Sequence, residues 1–209
     1  RVNLTGFYYD YKDLQIGKVV EQVLRFENPA NAEIYGLEAE LEAKLTDRFT
    51  LTANGSWLHA RFTDYVSEDP SRAYGDGVTI EPASGNPAFN LEGNSLSQSP
   101  DFTFLVAAQY DLPSTLGDFN LRGEVSWRDK VYFTPFNVDY VAQKSFAKVN
   151  TVLNWTSPSD SWSASLFVKN LTDKTTVANS FIEVGLVGFP AVGFMDPPRT
   201  FGASIGYKF

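Results

Sequence analysis

The sequence predicts an all-β fold, a transmembrane antiparallel β-barrel wall of about eight strands linked by short turns on one side and long loops on the other. Three observations predict it. Apolar residues recur at every second position in most segments, the links alternate between very short and long, and aromatic side chains gather at the ends of the runs. The last nine residues show the pattern most plainly. Phe201, Ala203, Ile205, Tyr207 and Phe209 fall on one face of a period-two ladder, and Gly202, Ser204, Gly206 and Lys208 on the other. Taken alone, those nine residues suit a half-buried strand of a soluble β-sandwich equally well.

Composition narrows the choice. The chain has 209 residues, 15% of them aromatic, one His, one Met, no Cys and a formal net charge of −8. No stretch approaches the roughly 20 consecutive apolar residues that a membrane helix needs. A membrane barrel escapes that test, because alternate residues face a wet lumen and mean hydropathy stays near that of a soluble protein. The absence of cysteine removes disulfide frameworks and thiolate metal sites. An acidic chain with no basic cluster is a poor match for nucleic acid, whose phosphates need clustered Lys and Arg.

Each strand has its own justification. The first covers 2–16, and a moderately long link is expected at 17–28. The second, 36–45, sets Leu37, Ala39, Leu41, Ala43 and Leu45 against Glu38, Glu40, Glu42 and Lys44. Its residues are strong helix formers, but apolar side chains at every second position would wrap all round a helix instead of forming a stripe, so the period overrides the propensity. A tight turn at 46–48 leads to the third strand, 49–59, with Phe49, Leu51, Ala53, Gly55 and Trp57 on one face. After a long loop at 62–100, strands at 102–110 and 119–128 are joined through Leu112-Pro-Ser-Thr-Leu-Gly-Asp118, a run of turn formers. A second long loop, 129–145, precedes strands at 147–155 and 162–169, joined through Ser157-Pro-Ser-Asp-Ser161. A third, 172–198, precedes the last strand, 200–209. Short turns then lie on the periplasmic side with the C-terminus, and long loops lie outside. Phe49, Trp57, Tyr110, Phe119, Trp127, Trp155, Trp162, Tyr207 and Phe209 are placed to form two interfacial girdles.

Four stretches together resemble the C-terminal part of the barrel of a TonB-dependent outer-membrane receptor. They are Phe7-Tyr-Tyr-Asp-Tyr-Lys-Asp13; Ala32-Glu-Ile-Tyr-Gly-Leu-Glu-Ala-Glu40 following Asn28; Val168-Lys-Asn-Leu-Thr-Asp-Lys174; and Pro198-Arg199 leading through Thr-Phe-Gly202 to Phe209. The resemblance covers essentially the whole chain, 1–209. It implies about eight strands of a 22-strand barrel, with the plug domain and N-terminal strands absent from this chain, and a location in the bacterial outer membrane. It further implies energy-coupled uptake of a scarce ligand such as a siderophore, vitamin or oligosaccharide. Implied partners are outer-membrane lipid and lipopolysaccharide, the rest of the same receptor, the TonB complex by way of the plug, and the barrel assembly machinery reading Tyr207 and Phe209 as an assembly signal. The alternative is a complete small eight-stranded barrel with a structural or adhesive role. Pairing of the first strand with the last would mark it.

Chemistry-bearing residues are few. His59, the sole histidine, falls on the lipid-assigned face near the extracellular end of its strand, which argues against catalysis, and one His without Cys makes a poor zinc set. Asp69, Asp76 and Glu81 share a loop with Gly75, Gly77, Gly85 and Gly93, but their spacing fits no calcium motif. No catalytic, cofactor or metal site is expected. The candidate ligand surface is the second long loop, where Tyr132, Phe133, Phe136 and Tyr140 stand beside Asn137, with Arg128 at the base. Aromatics flanked by Arg and Asn can stack on a sugar or an aromatic siderophore, or can pack loop against loop to seal the mouth. The apolar, glycine-rich stretch 181–195 offers the same pair of readings.

Overall fold

The computed structural model describes residues 1–20, 23–68, 78–80, 87–183 and 187–209. Its strands are β1 (Val2–Val20), β2 (Val23–Lys44), β3 (Phe49–Asp64), β4 (Val66–Glu68), β5 (Val78–Ile80), β6 (Pro87–Asn90), β7 (Phe102–Ser114), β8 (Gly117–Arg128), β9 (Val131–Tyr132), β10 (Ala142–Gln143), β11 (Phe146–Thr156), β12 (Trp162–Lys169), β13 (Val177–Ile182), β14 (Ala191–Met195) and β15 (Thr200–Tyr207). Eight of them form one antiparallel sheet in the order β1-β2-β3-β7-β8-β11-β12-β15. The sheet is open, with β1 and β15 at its two edges. That is the opposite of what a closed eight-stranded barrel requires.

The register carries the predicted facing across every strand. Leu37 pairs with Trp57, Leu41 with Ala53, Val106 with Val125, Leu121 with Leu153 and Leu166 with Ala203, which makes one continuous apolar face. Leu37 is 49% exposed and Leu121 45%, so these side chains point outward and enclose no core. A soluble sandwich would bury them. On the opposite, concave face Glu38 aligns with Ser56, Thr103, Arg128 and Phe146, and one step on Glu40 aligns with Asn54, Leu105, Ser126 and Lys148.

Aromatics border the apolar face at both ends. Near the short turns Phe49 faces Tyr110 and Trp155 faces Phe119, while the Trp162 and Tyr207 rings lie 4.7 Å apart and Phe209 meets Tyr207 edge-on. At the other end Tyr8 stacks on Tyr35, Tyr35 meets Trp57 edge-on, and Phe104 stacks on Trp127 at 5.4 Å. Phe49 to Trp57, like Phe119 to Trp127, spans about 27 Å along the strand, or roughly 20 Å across the membrane at a tilt of ~40°. This approaches the ~25 Å apolar band of outer-membrane barrels.

Several boundaries differ from expectation, among them the end of β3, which runs on to Asp64 beyond the expected 59. The link at 17–28 is strand on both sides, with Ile16 opposite Glu27, Gly17 opposite Phe26 and Val20 opposite Val23. Lys18-Val-Val20 and Val23-Leu-Arg-Phe26 carry enough β-branched and aromatic residues to extend the hairpin beyond the membrane. The turn between β7 and β8 shrinks to Thr115-Leu116, because Pro113 stays in the ladder opposite Asp118. The last strand ends at Tyr207, and the Lys208 N–H donates to the Ser161 carbonyl.

Glycines in two of the motifs have a packing cause. A Cβ on Gly36 would lie 2.9 Å from the Phe7 ring and 2.4 Å from the Trp57 carbonyl, and one on Gly202 would lie 2.5 Å from the Phe167 ring. In each case an aromatic ring on the concave face lies over a bare backbone, a pairing that helps pin strand register.

The Lys-Asn-Leu-Thr-Asp motif closes the extracellular end of β12. Asn170, 4% exposed and at φ 51°, accepts from the Lys174 N–H at 2.9 Å and donates to the Lys174 carbonyl at 3.0 Å. Its own N–H donates to Asn150 Oδ1 on β11, and Asp173 Oδ1 accepts from the Arg199 N–H just before β15. Asn170→Leu removes the side-chain partners of two backbone groups at a buried site and should destabilise the protein by about 2–3 kcal/mol. A urea-unfolding midpoint in detergent that matched the wild type would contradict this.

Candidate functional site at the extracellular mouth

Among the described residues, two clusters of buried apolar side chains lie at the long-loop end of the sheet. The first joins Ala30, Ala32, Phe62, Tyr65, Phe89 and Leu91, with Leu14, Ile16, Leu96 and Phe136 packed against it. The second joins Val131, Phe133 and Val141, with Val138, Val177 and Ile182 around it. The long loops thus have a hydrophobic interior of their own, separate from the lipid-facing wall.

The six candidate ligand residues divide into two groups. Phe133 is 8% exposed inside the second cluster, and Phe136 packs on the first with its ring edge-on to Phe89. Asn137, at φ 52°, clasps the neighbouring loop: its Oδ1 accepts from the Ser95 N–H at 2.7 Å and its Nδ2 donates to the Ser95 carbonyl at 3.0 Å. Arg128 and Tyr132 are half-buried, as Phe136 and Asn137 are, but make no such contact with the neighbouring loop through their side chains among the described residues, and Tyr140 is exposed. Tyr140 is 59% exposed, and the Tyr132 hydroxyl accepts from Lys130 Nζ at 2.9 Å. Lys130 also donates to Asp139, which raises the lysine pKa and lowers that of Asp139. The Arg128 guanidinium lies 5.0 Å from the Phe146 ring centre, and its Nε is enclosed without an acceptor among the described residues. Arg128 and Phe146 also border a concavity of about 520 Å³ on the inner wall, with Glu38, Asn54, Ser56 and Thr103. Sequence reasoning could not divide the residues of this loop, because the Asn137 clasp depends on a residue 42 positions away.

Of the 181–195 stretch, 184–186 lie outside the described residues; the rest forms the β13–β14 hairpin, with Phe181 stacked on Phe194 at 6.0 Å. At its base Asp196 Oδ2 accepts from Lys148 Nζ at 2.8 Å and from Thr176 Oγ1 at 2.6 Å. Sequence reasoning missed this anchor, since Lys148 and Asp196 are remote in the chain. The Lys148 hydrogen bond, seconded by Thr176, holds the Asp196 pKa below the usual carboxylate range. A carboxyl whose folded pKa is depressed contributes stability above its unfolded value and loses it as pH falls through the folded one. The hairpin should therefore loosen only at strongly acidic pH, and Asp196→Asn should flatten that acid limb. Near-ultraviolet circular dichroism of both proteins from neutral to acid pH checks the outcome.

His59 stacks on Tyr35 at 4.5 Å between ring centres, on the outer face, with its Nε2 3.5 Å from Glu33 Oε1. Asp69, Asp76, Glu81, Gly75, Gly77 and Gly85 lie outside the described residues. Among the described residues no group of three or more His, Asp or Glu is placed to hold a metal, and no helix is long and apolar enough to cross a membrane.

An open sheet with a lipid-suited outer face, a polar concave face and packed loops at one end can be compared directly with known folds. The family model for the TonB dependent receptor-like β-barrel matches residues 1–171. The chain belongs to the TonB-dependent receptor family. That places it in the bacterial outer membrane, in a family of receptors and transporters. No curated protein sequence matches it. Among solved structures it is similar to the ferric yersiniabactin uptake receptor FyuA of Yersinia pestis, with TM-score 0.74, 20% identity, and coverage of all of this chain and 28% of that one. The siderophore receptor PiuA of Acinetobacter baumannii gives 0.70 at 16% identity, with coverage of 100% and 26%. A mutant ferric enterobactin receptor of Pseudomonas aeruginosa in complex with enterobactin gives 0.65 at 19%, with coverage of 100% and 29%. The chain thus spans between a quarter and a third of the length of these neighbours.

Proposed function

We propose that this chain is the C-terminal barrel portion of a receptor for energy-coupled uptake of a scarce ligand, with a ferric siderophore as the first class to test. Family membership carries the reading, and the siderophore receptors among its structural neighbours supply the ligand class. The remaining strands of the same receptor would pair with the edges of β1 and β15, since lipid does not tolerate unpaired backbone. A plug domain would occupy the concave face and connect to the TonB complex. Lipopolysaccharide would meet the outer face, and the barrel assembly machinery would read Tyr207 and Phe209. Arg128, Tyr132 and Tyr140 would touch the ligand, while Phe133, Phe136 and Asn137 hold the surface that presents it. The receptor performs no covalent chemistry on its cargo, and ligand-induced movement is passed to the plug.

The test is growth of the source bacterium under iron limitation, with and without the gene, on a panel of purified ferric siderophores of the catecholate, hydroxamate and phenolate classes. Loss of growth on one class, and loss of its uptake when a protonophore collapses the inner-membrane gradient, are the expected results. Equal growth of both strains on every siderophore would remove the siderophore assignment.

A further inference from the structure

The loop at 129–145 touches the segments on both sides of it. Toward 62–100, Phe136 enters the first cluster, Asn137 makes its two hydrogen bonds with the Ser95 backbone, Asn94 Nδ2 donates to the Pro135 carbonyl at 2.9 Å, and the Gln98 N–H donates to the Tyr132 carbonyl at 2.8 Å. Residues 94–96 are in turn tied to β3, through Phe62 N–H to the Asn94 carbonyl and Leu96 N–H to the Ala60 carbonyl. Toward 172–198, buried Gln143 accepts from the Val177 N–H at 2.7 Å, and Val177 and Ile182 pack on Val131, Phe133 and Val141.

We propose that the described parts of these extracellular segments form one cooperative collar with 129–145 as its central member, so that they open as a unit and not loop by loop. Among the described residues, 129–145 is bonded to Ser95 through Asn137 and to Val177 through Gln143, and it buries Phe136 against one flank and Phe133 against the other. Undocking either flank frees the short loop whose backbone also carries the contacts of the other flank, which couples the two openings. Independent surface loops would each open at their own low free energy. A collar of this kind presents its ligand surface preformed, and Asn137 is a positioning residue within it.

Amide hydrogen exchange on the full receptor in detergent micelles, without ligand, tests this. Asn137→Ala should speed exchange at Ser95 and Gln98 by roughly tenfold or more, the scale set by losing a buried hydrogen-bond partner, and should also speed it at remote Val177. Gln143→Ala should do the reverse, with Val177 affected directly and Ser95 at a distance. Protection retained at Val125 and Leu153 reports that the wall has folded, and Phe136→Leu serves if either alanine variant fails that check. Acceleration confined to the amides that lost an acceptor, or a wild type whose loop amides are unprotected, would overturn the proposal. The inference rests on loop contacts and not on cargo, so cooperative exchange with no siderophore phenotype would sink only the functional reading.

Discussion

Val106→Arg is expected to destabilise the protein by about 2–4 kcal/mol, the cost of an arginine facing lipid at the bilayer midplane. Val106 lies on the outer face between the two girdles, opposite Ala53 and Val125. Its neighbour Leu105 faces the other way, opposite Asn54 and Ser126 and bordering the inner concavity. Leu105→Arg places the same charge in a wet, polar space and should cost less than ~1 kcal/mol. The pair is informative because propensity, sequence position and added charge are nearly constant, and only facing changes. Urea unfolding of both variants in lipid bilayers measures the difference. Equal destabilisation would mean that the two faces of β7 do not see different solvents.

Gly117→Ala should cost about 3 kcal/mol, combining backbone strain with a collision. Gly117 has φ +116°, and a Cβ there would lie 2.2 Å from the Thr156 carbonyl and 2.8 Å from Trp155 Nε1. Trp155 Nε1 donates to the Leu116 carbonyl at 2.9 Å, so relief of the clash by moving the indole breaks a hydrogen bond. Gly93→Ala is the matched control, because Gly93 has φ +82° with nothing within 4 Å of its Cβ. It should lose about 1 kcal/mol from backbone conformation alone. Comparable unfolding midpoints for the two variants would show that the Thr156 and Trp155 contacts do not constrain the turn.

The barrel wall was legible because a strand with one face in lipid and one in water repeats its chemistry every two residues. Leu37 through Leu45 announce their facing even against the helix propensity of the intervening glutamates. The three short turns set which strands pair, and the observed registers follow. Strand extent above the membrane was less legible. Outside lipid the alternation is no longer enforced, so the β1–β2 hairpin beyond Ile16 leaves no periodic trace.

The sequence by itself determined the strand faces, the girdles, the turn-and-loop alternation and, through the motifs around Gly36 and Asn170, the family. Those features are local, and each is written in residues within a few positions of one another. Only the tertiary structure decided that the eight-stranded sheet is open at β1 and β15, that Asn137 and Phe136 bind neighbouring loops, and that Lys148 reaches Asp196. Each of those facts depends on groups tens of residues apart meeting in space, and irregular loops carry no period from which such meetings can be read.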